Sequence, residues 1–287
     1  MRKRMLSLAT IFAVMVVMLM PAPVMAASSG GMLLKNVKQY SYNTTAKKYK
    51  LYSKTSYTYE KGYPVEYNTI NYSGDSQNVN TVKYKFKKKL PKSAKHYNDI
   101  KRNDEKWTYD KKGRITKRVY GYKFWSNQKE TRKYKYNKQG FVNQYNYDRT
   151  YKYLGEKAEN YHSAYQYTYS MKKGLPVSMN STYTYRYEDG SSYTSKYRTT
   201  YNKKGLITKM ERLNNDGTTD YFYTVKYKTK KGKVTQAVVS ETSNGKTTPE
   251  DKYVFTYSKD KISKARLANM INSVVSQGTG YGVYNWY

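Results

Sequence analysis

Two histidines, His96 and His162, are the whole imidazole inventory of this 287-residue chain, and it contains no cysteine. A transition-metal centre needs several such ligands at set spacings, and neither histidine stands in one. General acid–base chemistry would then fall to carboxylates. Asp104–Glu105 and Glu188–Asp189 are adjacent acids that invite comparison with the paired carboxylates of glycoside hydrolysis. Both pairs lie in polar, turn-like sequence, where solvated acids are the ordinary explanation. The chain also lacks a Gly-x-Ser-x-Gly elbow and a phosphate-cradling glycine loop. The expectation is a protein that is not an enzyme, with no catalytic, cofactor-binding or metal-binding residues.

What remains is tyrosine interleaved with lysine. The chain has 38 tyrosines and 54 lysines and arginines against 20 acids, a formal net charge of +34. High charge with low hydropathy is the signature of disorder, but disordered chains are poor in aromatics. The tyrosines are also patterned. Tyr165, Tyr167 and Tyr169 alternate with Gln166 and Thr168, and Tyr183, Tyr185 and Tyr187 with Thr184 and Arg186. A period of two marks half-buried strands with the phenols on one face and the polar residues on the other.

The strands belong to a repeat. A tyrosine-rich run, a lysine-rich turn usually closed by glycine, and an aliphatic pair recur at 24- to 34-residue spacing. The turn glycines are Gly62, Gly113, Gly140, Gly174, Gly205 and Gly232, with Lys89 and Lys261 in the same slot of two further copies. Between them lies a second set of turn signals, such as Glu188-Asp189-Gly190 and Asn215-Asp216-Gly217. Eight units of strand, turn, strand, turn predict roughly 16 antiparallel strands. The expected architecture is an all-β protein of antiparallel β-hairpin repeats forming a long curled or spiral sheet. A short C-terminal helix is the one exception in view. Leu267, Ile271 and Val274 have helical spacing across 265–276. The competing reading continues the repeat as a strand through Leu267, by alignment with Ile207–Arg212, and that reading is favoured.

The N-terminus sets the compartment. Arg2, Lys3 and Arg4 precede an apolar run from Leu6 to Met20, Pro21 and Pro23 close it, and Val24-Met25-Ala26 offers a cleavage site. This predicts a signal peptide over 1–26, a leader or linker over 27–38, and a tyrosine-rich repeat domain over 39–287. A cysteine-free exported chain points to a bacterial source. The expected location is secreted and extracellular, associated with the cell surface.

The segment Trp107-Thr108-Tyr109-Asp110-Lys111-Lys112-Gly113-Arg114-Ile115 resembles the YD (Rhs-type) repeat, in which a tyrosine–aspartate pair leads through a short spacer to glycine, arginine and an aliphatic residue. Other copies carry Asn137, Ser170 or Asn202 in the aspartate position. The resemblance implies β-hairpins strung into curved or spiralling sheets, mostly in bacterial surface and exported proteins, and it brings no catalytic residues.

A long surface bearing a cation every few ångströms attracts polyanions by displacing their counter-ions. The sequence therefore points to an exported, non-enzymatic binding protein that associates electrostatically with anionic cell-envelope polymers or acidic glycans, an anionic polysaccharide or teichoic-type wall polymer being the partner. An extracellular nucleic-acid- or matrix-binding protein is the alternative, and a glycan-active enzyme a more remote one. The tyrosines are the core in the first instance. Which of them face a ligand, and the oligomeric state, are not fixed by the sequence.

Overall fold

Successive side chains of a strand point to opposite faces, so each alternating run commits its tyrosines to one side of a sheet. The computed structural model describes residues 29–279, apart from short segments at 61–62, 74–75, 88–89, 99–100, 112–113, 124–125, 139, 154–157, 173 and 278. The signal peptide expected over 1–26 lies outside the described residues, as do Gly62 and Gly113.

The chain runs as an up-and-down meander. Its first half comprises β1 (Ser29–Asn43), β2 (Lys48–Glu60), β3 (Tyr63–Ser73), β4 (Ser76–Lys87), β5 (Leu90–Asn98), β6 (Lys101–Tyr109), β7 (Ile115–Lys123) and β8 (Ser126–Tyr136). The second half comprises β9 (Val142–Tyr153), β10 (Glu159–Lys172), β11 (Leu175–Arg186), β12 (Ser192–Tyr201), β13 (Ile207–Leu213), β14 (Thr219–Lys230), β15 (Lys233–Ser243) and β16 (Lys246–Ser263). One helix, α1 (Lys264–Gln277), follows.

The sheet does not stay open. β16 pairs antiparallel with β1, with Val37 opposite Phe255 and Gln39 opposite Tyr253, and the sixteen strands form a closed barrel. This corrects the open curled or spiral sheet expected from the repeats. The closing strand comes from the stretch expected to be a leader. Residues from Ser29 onward are β1, and Leu33, Leu34 and Val37 are buried in the core. Closure removes both free edges, which an open sheet must otherwise protect.

Inside the wall the phenols touch one another across strands. Tyr134 lies 5.2 Å from Tyr145, Tyr145 is 5.5 Å from Tyr165, and Tyr165 is 4.7 Å from Tyr183, centroid to centroid. On the other side Tyr57, Tyr67, Tyr84 and Trp107 make a similar chain at 5.9–6.2 Å. Each such pair contributes about 0.2–1 kcal/mol, so the core is stabilised by many modest contacts.

The repeat turns gather at one end, the floor, and the second set of turns at the other, the mouth. At the floor, Gly140, Gly174, Gly205 and Gly232 have positive φ. The turn before Gly205 shows why. Asn202 Oδ1 accepts from the backbone N–H of Lys204 and Leu206, and the Gly205 N–H donates to the Asn202 carbonyl. The chain comes back into register through a residue at φ +72°, a conformation that favours glycine. Asp110 and Asn137 hold their own turns in the same way, accepting from the N–H of Arg114 and Phe141.

A ring of phenol hydrogen bonds laces these turns together. Tyr136 Oη donates to the carbonyl of Ile115, Tyr169 to Val142, Tyr227 to Ile207, Tyr257 to Val234 and Tyr59 to Leu34, at 2.5–2.9 Å. Tyr136, Tyr169 and Tyr257 each reach from just before one turn to the first aliphatic residue after the previous one, Tyr227 reaches the second, and Tyr59 reaches β1. Each bond contributes about 0.5–1.5 kcal/mol and gives a half-buried hydroxyl its partner.

α1 closes the floor. The strand favoured through Leu267 is not formed: β16 ends at Ser263, whose Oγ accepts the N–H of Arg266 as a helix cap, and the helix runs on to Gln277. Ala268, Met270, Ile271, Val274 and Val275 are all buried, so the helix is covered on most of its circumference. Asn272 docks it to the far wall, Oδ1 accepting from the Ile207 N–H at 2.8 Å and Nδ2 donating to the Gly205 carbonyl at 2.7 Å.

Candidate functional site

The two faces of the barrel wall have different chemistry. The inward set includes Tyr145, Tyr167, Met179, Met210, Val225 and Tyr253, all buried. The outward set is mainly polar, with Ile70, Val79, Val119, Val238 and Val254 scattered through it. One outward rung, read from β6 to β12, is Thr108, Lys117, Lys133, Asn146, Ala164, Thr184 and Thr194. Lysines stand directly opposite lysines on this face: Lys38 faces Lys54, Lys83 faces Lys95, and Lys117 faces Lys133. Like charges opposed across a ladder destabilise it. Partial relief comes from Glu66, 3.5 Å from Lys83, and Asp148, 3.7 Å from Lys133.

The histidines divide between the two faces. His162 is on the outer face, its Nδ1 2.5 Å from an Asp148 oxygen, with more than a third of its side chain exposed. His96 is inside and almost fully buried, its Nε2 2.9 Å from Glu105 Oε2. Glu105 also pairs with Arg118, and the edge of Tyr120 closes on the imidazole at 5.4 Å. Arg118 stands opposite Arg132, whose Nη2 is 3.0 Å from Glu130. Gln128 Nε2 donates to Glu130, and Gln128 Oε1 accepts from Arg149 Nη2 at 3.0 Å. These side chains form a polar belt along the inner wall from β5 to β9.

Sequence reasoning missed this belt because it assigned charges to the solvated face. The signal was present: Arg149 is in phase with Tyr147 and Tyr151, and Gln128, Glu130 and Arg132 are in phase with Tyr134. A charge at the tyrosine parity is an inward charge. Asp104 and Glu105, expected to be solvated together, are split by the same alternation, Asp104 exposed on the outer face and Glu105 buried. Glu188 and Asp189 are both exposed at a mouth hairpin, where Glu188 accepts from the Asn160 N–H and Asp189 from Ser191. Neither pair brings two carboxylates to one cavity. Among the described residues there is no group of three or more His, Cys, Asp or Glu placed to hold a metal ion.

Burial sets the protonation of the belt. It lowers the His96 pKa from its ordinary 6.5 to about 3, with Arg118 and Arg132 acting in the same direction against the nearby Asp104. Burial, followed by Arg132, brings the Arg118 guanidinium down to about 10, still charged at neutral pH. The folded protein thus keeps His96 neutral, while the unfolded chain takes up a proton below pH 6.5. Stability is full above that value and falls as the pH drops through it, by up to about 1.4 kcal/mol per pH unit. Denaturant unfolding between about pH 7 and about pH 5 reads this slope, and His96→Gln should flatten it by one proton's worth. An unchanged slope in that variant counts against a neutral His96.

No protein-family model and no curated protein matches the chain. Solved structures do. A porin-like protein from Bacteroides uniformis superposes with a TM-score of 0.50 at 14% identity, over 78% of this chain and 98% of that one. A porin-like protein from Bacteroides vulgatus gives 0.41 at 10% identity, over 80% and 100% respectively. The likeness to the first supports the closed-barrel fold and corrects the spiral architecture that the YD-repeat resemblance implied. At this level of identity it carries the fold alone.

Proposed function

We propose that this protein is a non-enzymatic barrel that works in water at a bacterial cell surface, held to acidic polymers of the envelope by its lysine-studded outer wall. The observation that carries this reading is the opposition of lysine to lysine on the outward ladders of a closed sheet. Such pairs cost stability in the free protein, and an acidic chain laid across them removes that cost while releasing its own counter-ions. The polymers within reach of an exported protein are teichoic-type wall polymers and acidic polysaccharides.

The porin-like description of the structural neighbours suggests a pore, and the outer face argues for a different setting. A membrane-spanning barrel carries an outward apolar band about 25 Å tall between aromatic girdles. Here the outward rung from Thr108 to Thr194 has one apolar member, Ala164, and the apolar residues elsewhere on this face, such as Ile70, Val79 and Val238, stand among lysines and other polar residues. The inner wall carries buried tyrosines and aliphatics beside the polar belt from β5 to β9. No helix among the described residues is long and apolar enough to cross a membrane, which says nothing about strands.

Retention on isolated wall material tests the proposal. Bound protein should be released progressively as salt rises, with the logarithm of affinity falling linearly against the logarithm of salt concentration. Walls stripped of their acidic polymers should fail to hold it. Retention that ignores ionic strength, or that survives stripping, overturns the reading. Tighter binding to DNA than to a wall polymer at matched salt would shift it to a nucleic-acid partner.

A further inference from the structure

At the mouth the inward face changes character. Below it the inward phenols are buried or half-buried, whereas Tyr187 and Tyr193 are 51% and 42% exposed. They flank the hairpin between β11 and β12, and Tyr193 stands opposite Tyr185 in register. The Tyr185 ring meets Tyr187 edge-on at 4.8 Å and lies 6.4 Å from Tyr161. Two arginines bracket these rings. Arg149 lies opposite Tyr161, its guanidinium carbon 5.1 Å from the Tyr151 centroid and 5.9 Å from that of Tyr161. Arg212 donates to Tyr193 Oη at 2.5 Å and lies 5.8 Å from the Tyr221 ring centroid. The arc spans β9 to β14.

Phenol groups and cations held close to them form a recognisable surface. Ring faces accept the C–H faces of flat, partly apolar groups, and rigid tyrosine costs little entropy to order. Guanidiniums placed over rings present their N–H forks in fixed directions. Arg149 adds a second sign of an unfinished site: its Nε is buried without a hydrogen-bond partner, although Nη2 is committed to Gln128. Charges of both signs meet here. Glu159 accepts from Tyr161, and Asp220 is 3.7 Å from Arg212. The balance differs from that of the outer wall, where cations dominate and net charge would select the partner.

We infer that the mouth is a saccharide-binding site for an uncharged glycan chain, whose ring faces stack on Tyr187 and Tyr193 and whose hydroxyls meet Arg149 and Arg212. A polyol has the alternating apolar faces and hydroxyl edges that this pattern of rings and forks complements. A polyanion would bring Glu159 and Asp220 into repulsion. The site is separate from the proposed wall attachment, so one protein holds an acidic polymer outside and a neutral glycan at its opening.

The test is calorimetric titration of the purified protein with cello-, xylo- and chito-oligosaccharides, and with uronic-acid oligomers of equal length. At least one neutral series should bind, with affinity nearly independent of salt. The double variant Tyr187→Ala/Tyr193→Ala should weaken that binding at least tenfold, and Tyr187→Phe/Tyr193→Phe should restore most of it. Because both side chains are exposed, the alanine variant should unfold at the same temperature and keep its salt-dependent retention on walls. Absence of binding to every neutral series overturns the inference, as does exclusive binding of the uronates with a steep salt dependence. Loss of wall retention with saccharide binding intact would instead remove the proposed function and leave this site standing.

Discussion

Glu105→Ala should lower the unfolding free energy by about 3–5 kcal/mol, the largest single-residue loss expected in this barrel. Glu105 is 1% exposed and is the anion that both His96 and Arg118 address. Removing it takes away the carboxylate that pairs with the buried Arg118 guanidinium, which stands opposite Arg132. Breaking a buried pair by removing one member costs more than the pair contributed. The double variant Glu105→Leu/Arg118→Leu should therefore recover most of the loss, because well-packed apolar groups replace a buried pair at little cost. Urea unfolding followed by tyrosine fluorescence reads both values. A loss below about 1 kcal/mol in the alanine variant would mean that solvent reaches the belt after all.

Asn272→Ala comes next, at about 2–4 kcal/mol. Its side chain both accepts from the Ile207 N–H and donates to the Gly205 carbonyl, and it is 1% exposed. Alanine leaves a backbone donor and acceptor without partners in a place sealed from water. The rest of the helix keeps its contacts through Met270, Ile271 and Val275, so the damage should concentrate at the floor. Near-ultraviolet circular dichroism and urea unfolding together report it. Lys264→Ala, at an exposed position one residue past the end of β16, should stay within about 0.5 kcal/mol. Equal losses in the two variants would show that Asn272 does not anchor α1.

These two sites were also the least legible in the sequence, for different reasons. Strands and faces could be read because tyrosine keeps a period of two in runs such as Tyr165–Tyr169 and Tyr183–Tyr187. β1 could not, because register shifts between Ser29 and Gly31, Met32 and Leu34, and Leu34 and Asn36 break its alternation. Without a periodic strand there was nothing to suggest closure, and the sheet was expected to spiral. The end of the chain failed by analogy. Ile262 to Leu267 aligns with a strand elsewhere, but once sixteen strands have closed no edge is left to extend, so the helical spacing of Leu267, Ile271 and Val274 prevails. The belt was hidden by the habit of placing every charge outside, when parity with the tyrosines already placed Arg132 and Arg149 within.

The phenol lacing at the floor has a consequence for how such a molecule changes over generations. Each tyrosine serves the neighbouring hairpin rather than its own turn, as Tyr136 serves Ile115 and Tyr169 serves Val142. Duplicating or deleting one hairpin hands the next copy an equivalent carbonyl, so the stitching survives the edit. Because the wall is circular, the edit alters girth instead of length, and α1 must then span a wider or narrower opening. Gain or loss of a unit is therefore tolerated by the wall and policed by the floor.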